Sequence, residues 1–197
     1  MIIDQLANTI QLKIVYYGPA LSGKTTSLKA LFNHFGKKDQ VQSIESTLKR
    51  TLFFDYGAIS FQNQDWMLKI HIYSTTGQDF YIVTRPITLR AIDGIIFVAD
   101  SQKIAYERDL ISWNELCTYF EDSIINLPKV VAFNKQDLMD KFDPSQFLQE
   151  IDYFSFKNID IKKTIALNGE GILDSFEEIL SLIFKNLYKG QLISVFH

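Results

Sequence analysis

One stretch of eight residues constrains this chain more than any other. Gly18-Pro19-Ala20-Leu21-Ser22-Gly23-Lys24-Thr25 has the form G-x-x-x-x-G-K-[ST]. The run before it, LKIVYY over residues 12–17, is apolar, β-branched and aromatic, the pattern of a buried strand. After it, residues 24–35 place Leu28, Leu31, Phe32 and Phe35 on one helical face, and Gly36 stands where a helix ends. A strand, a glycine-bracketed loop and a helix in that order make a cradle for a polyphosphate. Gly18 and Gly23 let the backbone turn its N–H groups inward, and the helix N-terminus presents its positive end. Lys24 reaches the outer phosphates and Thr25 offers a hydroxyl to Mg²⁺. Ala20, Ser22 and Thr26 complete the expected lining.

The rest of the chain supports an α/β fold. Residues 51–61 and 66–73 read as two strands joined by the polar turn 62–65, with Gly57 interrupting the first. Residues 94–99 (GIIFVA) and 129–133 (KVVAF) are short continuous apolar runs, suited to strands covered on both faces. Helices are expected over 104–121, from Asp143-Pro144 onward, and over 172–188 with Gly190 just past its end. Residues 37–48 lack periodicity and read as a loop, and 164–167 as a last short strand. This alternation predicts a mostly parallel six-stranded sheet with one antiparallel edge strand and helices on both faces. The expected organisation is an N-terminal extension (1–10), one domain (11–190) and a C-terminal tail (191–197).

Composition narrows the partners. The chain has 197 residues, a net charge of −3 and one cysteine, Cys117. No global positive field is available to hold nucleic acid. A single cysteine excludes an internal disulfide and any multi-cysteine metal site. Three histidines far apart in sequence do not suggest another metal site. No run is long and apolar enough to span a bilayer, and neither end carries a signal peptide or lipid-anchor box. The expectation is a cytoplasmic monomer.

Strand 129–133 runs into Asn134-Lys135-Gln136-Asp137, an N-K-x-D tetrad. A carboxylate at Asp137 accepts two hydrogen bonds from the N1–H and 2-amino group of guanine. Adenine has no such donor pair and would leave the carboxylate unpaired, at a cost of several kcal/mol. Lys135 can lay its stem over the base. The expected ligands are therefore GTP and GDP with Mg²⁺.

Together these segments resemble the small GTPases of the Ras superfamily, and most closely the MglA-like prokaryotic branch. The resemblance rests on residues 13–19, 22–26, 50–55, 77–81 and 93–102, and residues 77–86 also resemble the Arf branch. It implies a Ras-like G domain and further site residues. Gln78, following Gly77, matches the glutamine that orients the attacking water. Thr51 matches the switch threonine that ligates Mg²⁺, with Thr47 as a competitor. Arg50 matches an arginine finger supplied from the same chain, with Arg85 and Lys49 as competitors; such a finger is worth about 10³–10⁵ in rate. Ala166, with Leu167 after it, matches the loop whose backbone N–H groups meet the guanine oxygen. The family also implies a Roadblock/LC7-type regulator, MglB-like, on the switch face.

Two departures bear on rate. Ser74 stands where most GTPases carry the aspartate of D-x-x-G, and Ala20 stands where the nearest relatives carry glycine. Both predict slow intrinsic hydrolysis that needs a partner, and they leave open a GTP-binding scaffold with little turnover. A nucleotide kinase would need an acceptor site and lid, and no segment supplies them.

Overall fold

The computed structural model describes residues 1–37, 41–44, 54–75 and 88–195. In chain order the strands are β1 (Ile2–Asp4), β2 (Thr9–Tyr17), β3 (Gln42–Ile44), β4 (Phe54–Asn63), β5 (Trp66–Thr75), β6 (Gly94–Asp100), β7 (Lys129–Asn134) and β8 (Ile159–Lys163). The helices are α1 (Lys24–His34), α2 (Tyr106–Phe120), α3 (Pro144–Glu150) and α4 (Ile172–Val195).

The strands form one sheet in the order β3-β4-β5-β2-β6-β7-β8, with β1 added beside β2. Strands β5, β2, β6, β7 and β8 are mutually parallel, and β4 runs antiparallel to β5. The expected six-stranded, mostly parallel sheet is therefore present, extended by the three-residue strands β1 and β3. The crossover connections between parallel strands place helices on both faces. Sheet alternation then sorts the core into two layers. Ile14, Ile72, Val98 and Ala132 face α1 and α4, while Val15, Phe97, Val131 and Phe133 face α2 and α3. Leu28, Leu31 and Phe32 of α1 are fully buried, each contributing about 1.5–3 kcal/mol of burial.

Several elements depart from the sequence reading. Strand β3 lies inside the expected 37–48 loop, paired antiparallel with β4 from Gln42↔Tyr56 to Ile44↔Phe54. Three residues carry too little periodicity to announce a strand, so the pairing creates it. The last strand is β8, Ile159–Lys163, not residues 164–167. Its Asp160, Lys162 and Lys163 suit an exposed edge, which masks the apolar signal. Gly57 does not interrupt β4. A Cβ there would strike the ring of Phe32, so the glycine makes room for α1. Helix α4 continues to Val195, so Gly190 lies within it and not past its end. The residues read as an N-terminal extension contribute β1, paired with β2.

Two termini follow local rules closely. At the end of α1, Gly36 takes φ +65° and Lys37 N–H donates to Phe32 O at 2.8 Å, closing the helix in the left-handed cap glycine favours. At the start of α3, the Asp143 carboxylate accepts from Ser145 N–H at 2.9 Å, with Pro144 in the first turn.

Candidate nucleotide site

The parallel strands β2, β6, β7 and β8 all deliver their C-terminal ends to one edge of the sheet, where open α/β sheets place ligands. The glycine-rich loop leaves β2 there and enters α1 at Gly23, which takes φ +104°. No side chain caps this helix start, and no acidic residue lies in its first turn. Its orphan N–H groups remain available to an anion. Added β-carbons would collide with Val98 O at Gly18 and with the Asn134 amide at Gly23. Backbone thus approaches the site where side chains cannot. Lys24, only 6% exposed, donates from Nζ to Gly18 O at 2.9 Å and Pro19 O at 2.6 Å. The hydroxyl of Ser22 is buried with no partner among the described residues. An anion-binding cradle of backbone N–H groups and a buried cation folded on its rim fit a polyphosphate.

Asn134, at the end of β7, joins this loop to the next. Its Nδ2 donates to Ser22 O at 2.7 Å, and its Oδ1 accepts from Ala166 N–H at 3.0 Å and Thr164 Oγ1 at 3.2 Å. Lys135 follows in the left-handed region, φ +65°. Its Nζ donates to Asp100 Oδ2 at 2.7 Å and Gln102 Oε1 at 3.3 Å, which holds the side chain at the end of β6. Behind it, the buried Asp109 accepts the Asp100 N–H at 3.0 Å. Burial, with the like charge of Asp100 nearby, pushes the Asp109 carboxyl up to about 8.

A cleft of about 180 Å³ lies between the two loops. It brings together Gly23, Thr26, Asn134, Lys135, Asp137, Ala166 and Leu167, all expected from sequence, and adds Leu21, Leu138 and Ile165. Leu21 sits at φ +64° and is 79% exposed. The Ala166 N–H donates to Asn134 Oδ1 at 3.0 Å. Leu167, 83% exposed beside it, stands at the mouth of the cleft.

The metal side is also partly laid out. Thr25, in the first turn of α1, donates from Oγ1 to Asp55 Oδ2 of β4 at 2.5 Å. Hydroxyl and carboxylate oxygens are the donors Mg²⁺ takes. Asp55 was missed by sequence reasoning, because only the register of β4 brings it to α1. Ser74 is buried at the end of β5. Arg50, Thr51, Gly77 and Gln78, together with the competitors Thr47, Lys49 and Arg85, lie outside the described residues.

The comparisons with known proteins agree with this geometry. The ADP-ribosylation factor family matches residues 1–183. Mutual gliding-motility protein MglA of Myxococcus xanthus (strain DK1622) is 35% identical over 142 residues, covering 69% of this chain and 73% of that protein. No helix among the described residues is long and apolar enough to cross a membrane. A family match over nearly the whole chain, on a sheet edge that builds the phosphate and base loops together, places it: the chain belongs to the ADP-ribosylation factor family and is a small GTPase of the MglA-like kind.

Proposed function

We propose that this chain is a GTP-hydrolysing molecular switch with slow intrinsic turnover, stimulated by a Roadblock/LC7-type partner that acts on the switch face. The observation that carries the reading is Asn134. One side chain fastens the phosphate loop, through Ser22, to the loop carrying Ala166, and it does so one residue before Lys135 and three before Asp137. Phosphate and base recognition are thereby built as one unit. Asp137 selects guanine over adenine by pairing with the N1–H and 2-amino donors.

In the proposed chemistry Lys24 leaves the Gly18 and Pro19 carbonyls for the β- and γ-phosphates, and the α1 N-terminus supports the same charge. Thr25 and Thr51 would hold Mg²⁺, which would supply positive charge against the phosphates. Gln78 orients the water, and Arg50 supplies the positive charge that the phosphate loop alone does not. Thr51 and the segment around Gly77 report the γ-phosphate and relax once it is lost, which is the switch.

Single-turnover hydrolysis tests this. Wild type should convert bound GTP slowly, below about one per minute, and faster with a Roadblock-domain partner. Arg50→Ala and Gln78→Leu should each lose about 10²-fold or more of the stimulated rate. Stimulated rates of both variants within twofold of wild type would overturn the assignment. A second reading, a GTP-binding scaffold, draws on Ser74 and Ala20. Tight GTP binding with no turnover under any condition would favour it.

A further inference from the structure

Behind the base loop, two buried carboxyls stand in series with one lysine. Asp109, in the first turn of α2, is fully buried. Its Oδ1 accepts the N–H of Asp100, the last residue of β6, at 3.0 Å, and its Oδ2 has no partner among the described residues. Asp100 is 1% exposed and serves the base loop with its own carboxylate. Its Oδ2 accepts from Lys135 Nζ at 2.7 Å, and its Oδ1 from the Gln102 N–H at 3.2 Å. Arg108 stands farther off, with Nη2 4.0 Å from Asp100 Oδ2. Lys135 has φ +65°, a backbone setting that a side-chain-bearing residue keeps only where its surroundings hold it.

Asp100 and Lys135 balance one negative charge with one positive. Asp109 adds a second carboxyl to the pair. The charged groups that face it are Asp100 from β6, Arg108 from α2 and Lys135 from the loop after β7. The Lys135 ammonium is already committed to Asp100. An ionised Asp109 would repel the Asp100 carboxylate and draw on that same ammonium, and both forces disturb the setting of Lys135. A protonated Asp109 still accepts the Asp100 N–H and adds no charge. Burial, with Asp100 nearby, favours this form by raising the carboxyl to about 8.

We propose that Asp109 is a positioning residue of the base site: in its protonated form it steadies Asp100, and through Asp100 it sets Lys135 for the guanine base, so that loss of this one proton loosens the nucleotide. The proposal rests on the guanine-nucleotide reading above and adds a proton to it. Because binding favours the protonated carboxyl, the nucleotide-bound chain holds the proton more tightly than the free chain. Affinity is then highest on the acid side and falls as pH rises through the value of the free chain.

Titration of a fluorescent GDP at saturating Mg²⁺, at pH 7 and at pH 9, tests this in wild type and in Asp109→Asn. The amide can accept the Asp100 N–H and does not titrate. Ionisation of the guanine base is common to both chains and cancels in the comparison. Wild type should lose about fivefold or more in affinity over this interval beyond any loss in Asp109→Asn. Calorimetry at pH 8, in buffers of different ionisation enthalpy, should show wild type taking up about 0.5 proton more than Asp109→Asn on binding GDP. A residue that served packing alone would change affinity equally at both pH values and take up no extra proton. Losses between pH 7 and pH 9 that agree within about twofold in the two chains, or equal proton uptake, would overturn the proposal. A wild-type chain that binds no GDP at pH 7 would overturn the guanine-nucleotide reading and this proposal with it; that failure shows in the unsubstituted protein and is distinct from the others.

Discussion

Asn134 Nδ2 donates to the carbonyl oxygen of Ser22 across 112 residues of sequence, at 2.7 Å and out of contact with water. The bond leaves Gly23 no room for a side chain, since a Cβ there would collide with the Asn134 amide. Asn134→Ala removes this bond and the two accepted from Thr164 and Ala166. The orphaned groups cost about 2 kcal/mol, or about 5 °C in Tm. GDP affinity should fall further, by about 100-fold, because the phosphate and base loops lose their common anchor. Differential scanning fluorimetry and GDP titration measure the two effects separately.

Asp137→Asn should exchange the base preference. An amide in place of the carboxylate presents a donor to the 2-position, which repels the 2-amino group of guanine and suits the 2-oxo group of xanthine. GTP affinity should fall about 100-fold or more and XTP affinity rise, read by competition against a fluorescent GDP. Unchanged GTP affinity would remove Asp137 from the base site.

Lys129 at the start of β7 is fully buried, and its ammonium lies 4.6 Å over the Phe156 ring with no hydrogen-bond partner among the described residues. Burial lowers it from the ordinary 10.5 to about 7. The unfolded chain holds this proton more tightly, so the penalty is full below about pH 7 and fades as pH rises toward 10.5. Lys129→Met should raise Tm by about 3–6 °C at pH 6.5, with the gain shrinking by pH 9.5. A gain that does not change with pH would show that the charge is not its origin.

Asp109 gives the opposite pH dependence. Its carboxyl is raised to about 8, so the unfolded chain releases the proton first, and stability declines as pH climbs from about 4 to about 8. Asp109→Asn keeps an acceptor for the Asp100 N–H but does not titrate. Its Tm advantage over wild type should widen by about 5 °C between pH 5 and pH 8.

Local signals carried much of the fold and the nucleotide site. The glycine-rich loop, the N-K-x-D tetrad, the buried runs of β6 and β7 and the Asp143-Pro144 helix start each depend on neighbours in sequence, and each can be read there. What could not be read depends on register. Strand β3 exists because Gln42–Ile44 meets β4, and β8 hides its apolar residues behind an edge rich in charge. Asp55 looks like one more polar residue of a hairpin until pairing sets it opposite Ser74 and beside Thr25. Asp100 and Gln102 likewise hold Lys135 only once β6 and β7 lie side by side. The Ala166 amide shows the same limit: its place was legible, but its engagement by Asn134 was not.

The most direct measurement is single-turnover hydrolysis of GTP and ATP side by side, at saturating Mg²⁺, with and without a Roadblock-domain partner. The expected result is slow conversion of GTP that the partner accelerates, with no binding or turnover of ATP. Hydrolysis of ATP at a rate comparable to GTP would contradict the guanine site built from Asn134, Lys135 and Asp137.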